Sequence, residues 1–498
     1  MDTKKPTLDK DLDKFWSFEK ATNLVARGYV APGLAFVFIA IVAVVAGSYF
    51  SGSSNTWLIV AAAAIGGYMA LNIGANDVAN NVGPAVGSNA MTMGTALVVA
   101  AIFESAGALI AGGDVVSTIS KGIINVEAIA DYQVFNAAMM AALVSAALWV
   151  NLATWIGAPV STTHSIVGGV MGAGIAAAGF GAVNWPMMGA IASSWVISPV
   201  LGGVIAALFL ALIKDRIIYQ TDKIAASRRW VPVLIAVMAG TFSTYLALKG
   251  LKKIIKIDMP SATMIGVGVF FLTWAIMVPL IAKQAKGLDN RNQSVRKLFA
   301  IPLVFSAALL SFAHGANDVA NAVGPLAAIV HTVELGDVAT KVSIPLWVMI
   351  VGAMGISLGL FLFGPKLIRM VGQQITKLNP IRAYCVALSA AITVIIASAL
   401  GLPVSSTHIA VGAVFGVGFF REWFTANSKK RQAQVTARNN KKADGDATKR
   451  IAGEGIAKRK LVRRSHVLTI ASAWVITVPA AAIMSGLIFF ALSTVMVG

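Results

Sequence analysis

Asn72, Asn76, Asp77, Asn80 and Asn81 crowd into a short stretch of an otherwise apolar region, Ala70 to Ser88. The pattern returns in Phe312 to Pro325, where Gly315, Asn317, Asp318, Asn321 and Pro325 stand in register with Gly74, Asn76, Asp77, Asn80 and Pro84. A carboxylate at membrane depth costs about 3 kcal/mol or more unless a partner or water compensates it. Two such groups in register therefore point to a shared task. Gly74, Gly83 and Pro84 around the first pair, and Gly315, Gly324 and Pro325 around the second, predict breaks in two helices. A broken helix bares backbone carbonyls, which lipid tolerates only beside a cavity. Carboxylate, amide and carbonyl oxygens together suit a hard cation such as sodium. Polar glue between helices is the simpler alternative, and the paired carboxylates outweigh it.

A second motif is also duplicated. Gly-Ala-Pro-Val-Ser-Thr-Thr-His over 157–164 returns as Gly-Leu-Pro-Val-Ser-Ser-Thr-His over 401–408. Proline opens a helix, and Ser161, Thr162, Thr163 and Ser405, Ser406, Thr407 then supply hydroxyls and first-turn N–H groups. A helix N-terminus with unpaired donors and the positive end of its dipole is a ready anion site. Two opposed ends would enclose a tetrahedral oxyanion without any Lys or Arg. Ser and Thr also serve as ordinary caps; the matched Pro and His in both copies favour the anion. His164 and His408 read as hydrogen-bonded core residues. Glu104, in Ile102-Phe-Glu-Ser-Ala-Gly107, is a further intramembrane carboxylate. It binds a coupling ion or steadies the site, and both readings stand. No Gly-x-x-x-x-Gly-Lys-[Ser/Thr] loop, His-Glu-x-x-His or Cys/His cluster occurs, so nothing points to ATP hydrolysis or to an enzyme.

The elements that must hold these residues are membrane helices. Of 498 residues 57% are hydrophobic and only 12% charged, about half the charge of a soluble protein. Mean hydropathy is +0.78. Many apolar runs reach the roughly 20 residues that cross a bilayer. They lie at about 32–50, 57–74, 91–112, 137–156, 159–178, 186–213, 231–249, 262–283, 298–314, 343–364, 381–400, 403–420 and 467–496. The fold class is thus an all-α polytopic membrane protein with about 11–13 membrane segments. The net charge of +19 sits in loops, as the positive-inside bias requires, and is no sign of a nucleic-acid partner. Cys385 is alone, which excludes a disulfide within the chain.

Four regions follow: a polar, cytoplasmic head over 1–31; a first transmembrane segment plus repeat 1 over 32–213; basic loops and two linking helices over 214–297; and repeat 2 over 298–498, interrupted by a basic cytoplasmic loop at 421–465. A third echo, Ala-Ser-Ser-Trp-Val-Ile-Ser-Pro over 192–199 against Ala-Ser-Ala-Trp-Val-Ile-Thr over 471–477, completes the repeat. The connector after the first Ser/Thr motif, Gly179 to Trp185, has no charge, whereas its counterpart is the basic 421–465 loop. By the positive-inside rule these connectors face opposite sides, so the repeats are inverted, an arrangement of secondary transporters. The lysines at 249, 252, 253 and 256 then fall outside, against the rule.

With these residues in view, the chain resembles the inorganic phosphate transporter (PiT) family. The resemblance rests on Gly74-Ala-Asn-Asp-Val-Ala-Asn80 and Gly315-Ala-Asn-Asp-Val-Ala-Asn321, and on Pro159-Val-Ser-Thr-Thr-His164 and Pro403-Val-Ser-Ser-Thr-His408. Ile102–Gly107 through Lys121-Gly-Ile-Ile-Asn-Val126 is similar to the sodium-coupled branch. It implies import of inorganic phosphate by symport with a cation. The Ser/Thr triplets would be phosphate ligands. Asn76, Asp77, Asn317 and Asp318, with Glu104, would serve cation binding and coupling, and Asp77 and Asp318 would hold sodium. Proton-coupled bacterial members carry a different first motif, such as His-Asp, so Asn76-Asp77 points to sodium. Many animal members have a Glu where this chain has Ala387, which weakens any mechanism needing that Glu. A proton-coupled symporter and a permease for sulfate or another tetrahedral oxyanion stay open; a channel and a non-transporting phosphate sensor are remoter. The implied partners are phosphate, a sodium ion or proton, and the lipid bilayer of a bacterial inner membrane. No cofactor beyond the co-transported ion is expected, and homo-oligomerisation is left open.

Overall fold

In lipid each backbone N–H and C=O must find its partner within the chain, which leaves helices for apolar runs such as these. The computed structural model describes residues 29–52, 55–129, 131–156, 160–250, 257–336, 344–374, 379–428 and 464–496. The polar head up to residue 28, most of the basic 421–465 loop (429–463), the lysines at 252, 253 and 256, and Pro159 lie outside the described residues. The described structure is helical, with one isolated bridge between Ile124 and Val183.

Repeat 1 comprises α2 (Thr56–Asn76), α3 (Val78–Gly87), α4 (Met93–Ala111), α5 (Tyr132–Ile156), α6 (Thr162–Ala178) and α7 (Trp185–Ile213), preceded by α1 (Tyr29–Tyr49). The linking pair α8 (Lys223–Lys249) and α9 (Met259–Gln284) pack on each other. Repeat 2 comprises α10 (Ala300–Asp318), α11 (Ala320–Leu335), α12 (Leu346–Gln374), α13 (Pro380–Ala399), α14 (Ser406–Asn427) and α15 (Arg464–Met496). Among the described residues, eleven helical stretches are long and apolar enough to cross a membrane. The apolar segments at 159–178 and 403–420 are absent from that set. They are α6 and α14, the return arms of two hairpins. The broken helices fall where the sequence places them, and each interruption is one residue long, at Asp77 and at Val319.

The repeats interlock by exchange. α2 packs on α12 and its counterpart α10 on α4; α6 packs on α15 and its counterpart α14 on α7. Glycine permits these contacts. A Cβ on Gly74 would collide with the backbone of Ile356, and one on the equivalent Gly315 with the backbone of Glu104. Gly107 faces Phe312 and its counterpart Gly359 faces Leu71 in the same way. At the centre Ser105 and Ser357, which are equivalent positions, share a 2.8 Å hydrogen bond. That self-pairing marks the pseudo-two-fold axis.

The inversion expected from charge is visible in the packing. The 29 residues of α7 give a helix about 43 Å long, with Trp185 at one end and Lys214 just past the other. Lys214 stacks on Phe424 at the far end of α14, beside Arg421. The connector after α6 and the connector after α14 therefore lie on opposite faces of the bundle.

Candidate functional site

The two hairpins meet at their tips. Thr163 Oγ1 donates to Val404 O at 3.0 Å, and the rings of His164 and His408 lie 4.5 Å apart, edge to face. Ser161 and Ser405 are the N-caps of α6 and α14, accepting from the backbone N–H of His164 (3.1 Å) and His408 (3.3 Å). Such capping satisfies donors that the first helical turn would otherwise leave open. The remaining members of each triplet turn toward the interrupted helices.

Asp77 accepts from Thr162 Oγ1 at 2.7 Å and from Thr407 Oγ1 at 3.3 Å, so it touches both tips. Asp318 accepts from Ser406 Oγ at 3.3 Å. Asn80 donates to Thr407 (2.9 Å), and its counterpart Asn321 donates to Thr162 (3.1 Å) and Thr163 (3.2 Å). All of these side chains are buried. One cluster thus unites both Asp residues and four of the six Ser/Thr predicted as ligands, with the two caps Ser161 and Ser405 beside them.

The Asn of each Asn-Asp pair is used differently. Asn76 donates to Thr154 on α5 at 2.8 Å. Asn317 donates to Ser398 (2.9 Å) and to Leu402 O (3.1 Å), and accepts from Val404 N at 3.1 Å. Each fastens its interrupted helix to the hairpin of the same repeat. Successive helical positions point about 100° apart, so neighbours in the motif reach different partners.

Glu104 joins the cluster through a residue whose role sequence reasoning missed. His314 Nδ1 lies 2.6 Å from Glu104 Oε2, and His314 Nε2 lies 2.9 Å from Asp318 Oδ2, the latter without hydrogen-bond alignment. Asn81 donates to Glu104 Oε1 at 2.8 Å. The chain Asn81, Glu104, His314, Asp318 breaks the pseudo-symmetry. Its counterpart positions hold Ala322, Ile356, Ile73 and Asp77. The signal was present in the sequence as a mismatch: His precedes Gly315 where Ile precedes Gly74.

The residues suit an oxygen-seeking cation. Ligand atoms of Asp77, His314 and Asp318 all lie within 4.8 Å of one another. Asp318 Oδ1 and Asn321 Oδ1 are buried and make no hydrogen bond among the described residues. Native proteins seldom leave such atoms unsatisfied, and oxygen is the ligand a hard cation prefers.

A cavity lies beside the helix that carries Asn76. It measures about 700 Å³, between α1, α2, α5 and α12, in the half of the bundle that bears Lys366. Asn72, Asn151 and Thr154 line it, and Thr154 is the partner of Asn76. On the other side of the cluster Phe242 packs edge-on against Phe312 at 4.9 Å, and Lys249 pairs with Asp114 at 2.5 Å.

Comparison with known proteins gives a consistent likeness. The profile of the phosphate transporter family matches residues 73–485. A protein of Helicobacter pylori named "putative phosphate permease" is 46% identical, with 95% of this chain and 97% of that protein covered. One of the same name from Pyrococcus furiosus is 36% identical over 87% of this chain and 95% of its own length. Among solved structures, one titled the sodium-dependent phosphate transporter is similar at a TM-score of 0.76 and 34% identity, covering 88% of this chain and 99% of that one.

Proposed function

Because the chain belongs to the phosphate transporter family, a family of membrane transporters and not of enzymes, we propose that it imports inorganic phosphate by symport with a cation, sodium before proton. One observation carries the reading: Asp77 is bonded at once to a hydroxyl from each hairpin tip, Thr162 and Thr407. A cation on the two carboxylates and an oxyanion at the two tips would then share ligands. Each would raise the affinity for the other, as linkage requires. The tetrahedral anion would be held by Thr162, Thr163, Ser406 and Thr407, with the capped Ser161 and Ser405 beside them. Asp77 and Asp318 would hold sodium, with Glu104 and His314 setting the charge around it. The solved relative's title names sodium, and the Asn-Asp form of the first motif supports the same ion.

The deciding experiment is radiolabelled phosphate uptake into proteoliposomes under imposed sodium or proton gradients, with sulfate as competitor. Uptake driven by sodium and unaffected by sulfate is expected. Uptake that survives dissipation of every ion gradient and of the membrane potential would instead favour a channel.

Removing one hydroxyl tests the anion ligands. Thr407→Val deletes both a donor to Asp77 and an acceptor for Asn80; Thr163→Val deletes both a donor to Val404 O and an acceptor for Asn321. Each should weaken phosphate binding by about 1–3 kcal/mol. Wild-type affinity in both variants would leave the triplets as helix caps only.

The reading also places the face bearing Lys214, Arg228 and Arg229 in the cytoplasm of a bacterial cell, with the N-terminus on that side. A cysteine at Asn184 should then react with an impermeant thiol reagent from outside, while a tag within 421–465 stays protected. Reaction of both from one side would refute this orientation.

A further inference from the structure

The turn at 399–403 leads straight into the hairpin tip that carries Ser406 and Thr407. Two side chains from elsewhere in the fold hold it. Lys249 Nζ, at the end of α8, donates to Ala399 O at 3.4 Å while paired with Asp114 at 2.5 Å. Thr118 Oγ1 donates to Gly401 O at 2.7 Å. Asp114 and Thr118 belong to the short helix Gly113–Ser117 and the wide π turn Thr118–Gly122, which extend α4. Such turns recur at functional sites. The 27 residues of α8 set Lys249 about 40 Å from the basic face. The positive-inside bias gives a lysine no reason to stand there; Asp114 and the carbonyl of Ala399 do.

The equivalent positions of the other repeat are arranged differently. The register that pairs Ser105 with Ser357 sets Asp114 against Lys366, and the register of the Ser/Thr motifs sets Ala399 against Trp155. Lys366 and Trp155 line the cavity of about 700 Å³, with Pro32 and Phe36 of α1 in its wall. α1 covers that side as α8 covers this one: Phe38 lies against Gly67 of α2 and Gly355 of α12, as Phe242 lies against Phe312 of α10. One arrangement thus occurs twice, drawn together by side-chain bonds at Lys249 and parted by a cavity at Lys366. In inverted repeats, alternating access rocks one unit against the other around a fixed site. An ion pair as exposed as Lys249–Asp114 is weak, which suits a contact that opens and closes.

We propose that Lys249 and Thr118 form the outer gate of the transport path. With Lys249 released from Asp114 and Ala399, and Thr118 from Gly401, the α13–α14 tip leaves the 113–122 segment and the central cluster opens to the outside. The gate rests on the transport reading and deepens it, since it has a task only where the cluster is reached from both sides.

Two arms test it, in a chain whose buried Cys385 is replaced by Ala. In the first, Val404→Cys places a thiol at the buried tip, and right-side-out vesicles are treated with an impermeant thiol reagent. Lys249→Met should speed labelling about 3-fold, and Lys249→Met with Thr118→Val about 10-fold, at unchanged melting temperature. Should Lys249→Met not fold, Asp114→Asn carries the same comparison. In the second arm, Asp114→Cys and Lys249→Cys are joined by a short, reducible bismethanethiosulfonate. Phosphate uptake into proteoliposomes should stop and return on reduction, while equilibrium phosphate binding persists. Labelling at the wild-type rate in the gate variants, or undiminished uptake by the cross-linked chain, would overturn the gate. Absence of phosphate uptake by the unmodified wild type would instead refute the transport reading, whatever the labelling rates.

Discussion

Asp77→Asn and Asp318→Asn should each abolish cation-dependent phosphate uptake, by about 100-fold or more, while leaving the protein in the membrane. Asparagine keeps the shape of aspartate and still accepts a hydrogen bond at one oxygen, so the Thr162 contact to Asp77 and the Ser406 contact to Asp318 survive in part. What is lost is charge. Removing one partner from a buried charged set costs about 3–5 kcal/mol, enough for the effect stated. The two variants should differ in a diagnostic way. Asp77 bridges both hairpin tips, so its loss should reduce cation-stimulated phosphate binding directly. Asp318 faces the other nitrogen of His314 from Glu104, so its loss removes one of the two carboxylates against that ring and should also shift the pH dependence of uptake. In both, phosphate binding should fall most at high cation concentration, where the wild type gains from linkage. The measurement is equilibrium phosphate binding with and without sodium, beside uptake in proteoliposomes. If both variants accumulate phosphate with wild-type cation dependence, coupling runs elsewhere, and the Glu104–His314 pair is next.

The second large effect is on assembly. Gly74→Ala and Gly315→Ala should each destabilise the protein by about 3 kcal/mol or more, at the upper end of overpacking. The added methyl would fall onto backbone atoms of Ile356 in one case and of Glu104 in the other. Backbone within a helix has no rotamer by which to move aside, so whole helices must separate: α2 from α12, or α10 from α4. Because each contact joins the two repeats, the damage would reach the central cluster. Gly94→Ala is the control, since a Cβ there meets nothing within 4 Å. Melting of the detergent-solubilised variants reads the outcome. Alanine variants at 74 and 315 that melt with the wild type would show that α2–α12 and α10–α4 are not tightly packed.

These glycines also show how a helix break can be placed correctly for the wrong local reason. In sequence, Gly74 and Gly315 stand as helix breakers beside Asn-Asp. In the structure α2 and α10 continue through them, and their role is close approach between repeats. The Asn-Asp dipeptide reads as one cation-binding unit. Its two side chains part company in the fold, Asn76 to Thr154 and Asp77 to the hairpin tips, because adjacent helical positions face different directions. The Ser/Thr triplets divide likewise into a cap and two residues bonded to the Asp and Asn side chains of the interrupted helices.

What the sequence determined by itself was whatever depends on local composition or on comparing one half with the other. Apolar runs set the membrane helices, since the bilayer acts on each run separately. Duplicated motifs set the repeats, and the contrast in charge between two connectors set their inversion. Partnership across the chain, by contrast, came from the packing of the helices. Nothing in Asp77 or its neighbours specifies Thr407, 330 positions away. That contact arises because helices of one repeat pack into the other, α2 on α12 and α14 on α7, which brings both hairpin tips to one axis. Nor does Glu104 name His314 from 210 positions away. Their bond exists because the glycine at 315 lets α10 lie against the backbone of α4 at Glu104. Hydropathy acts residue by residue and can be read along a line, whereas interhelical contact depends on shapes that meet only when all the helices are in place.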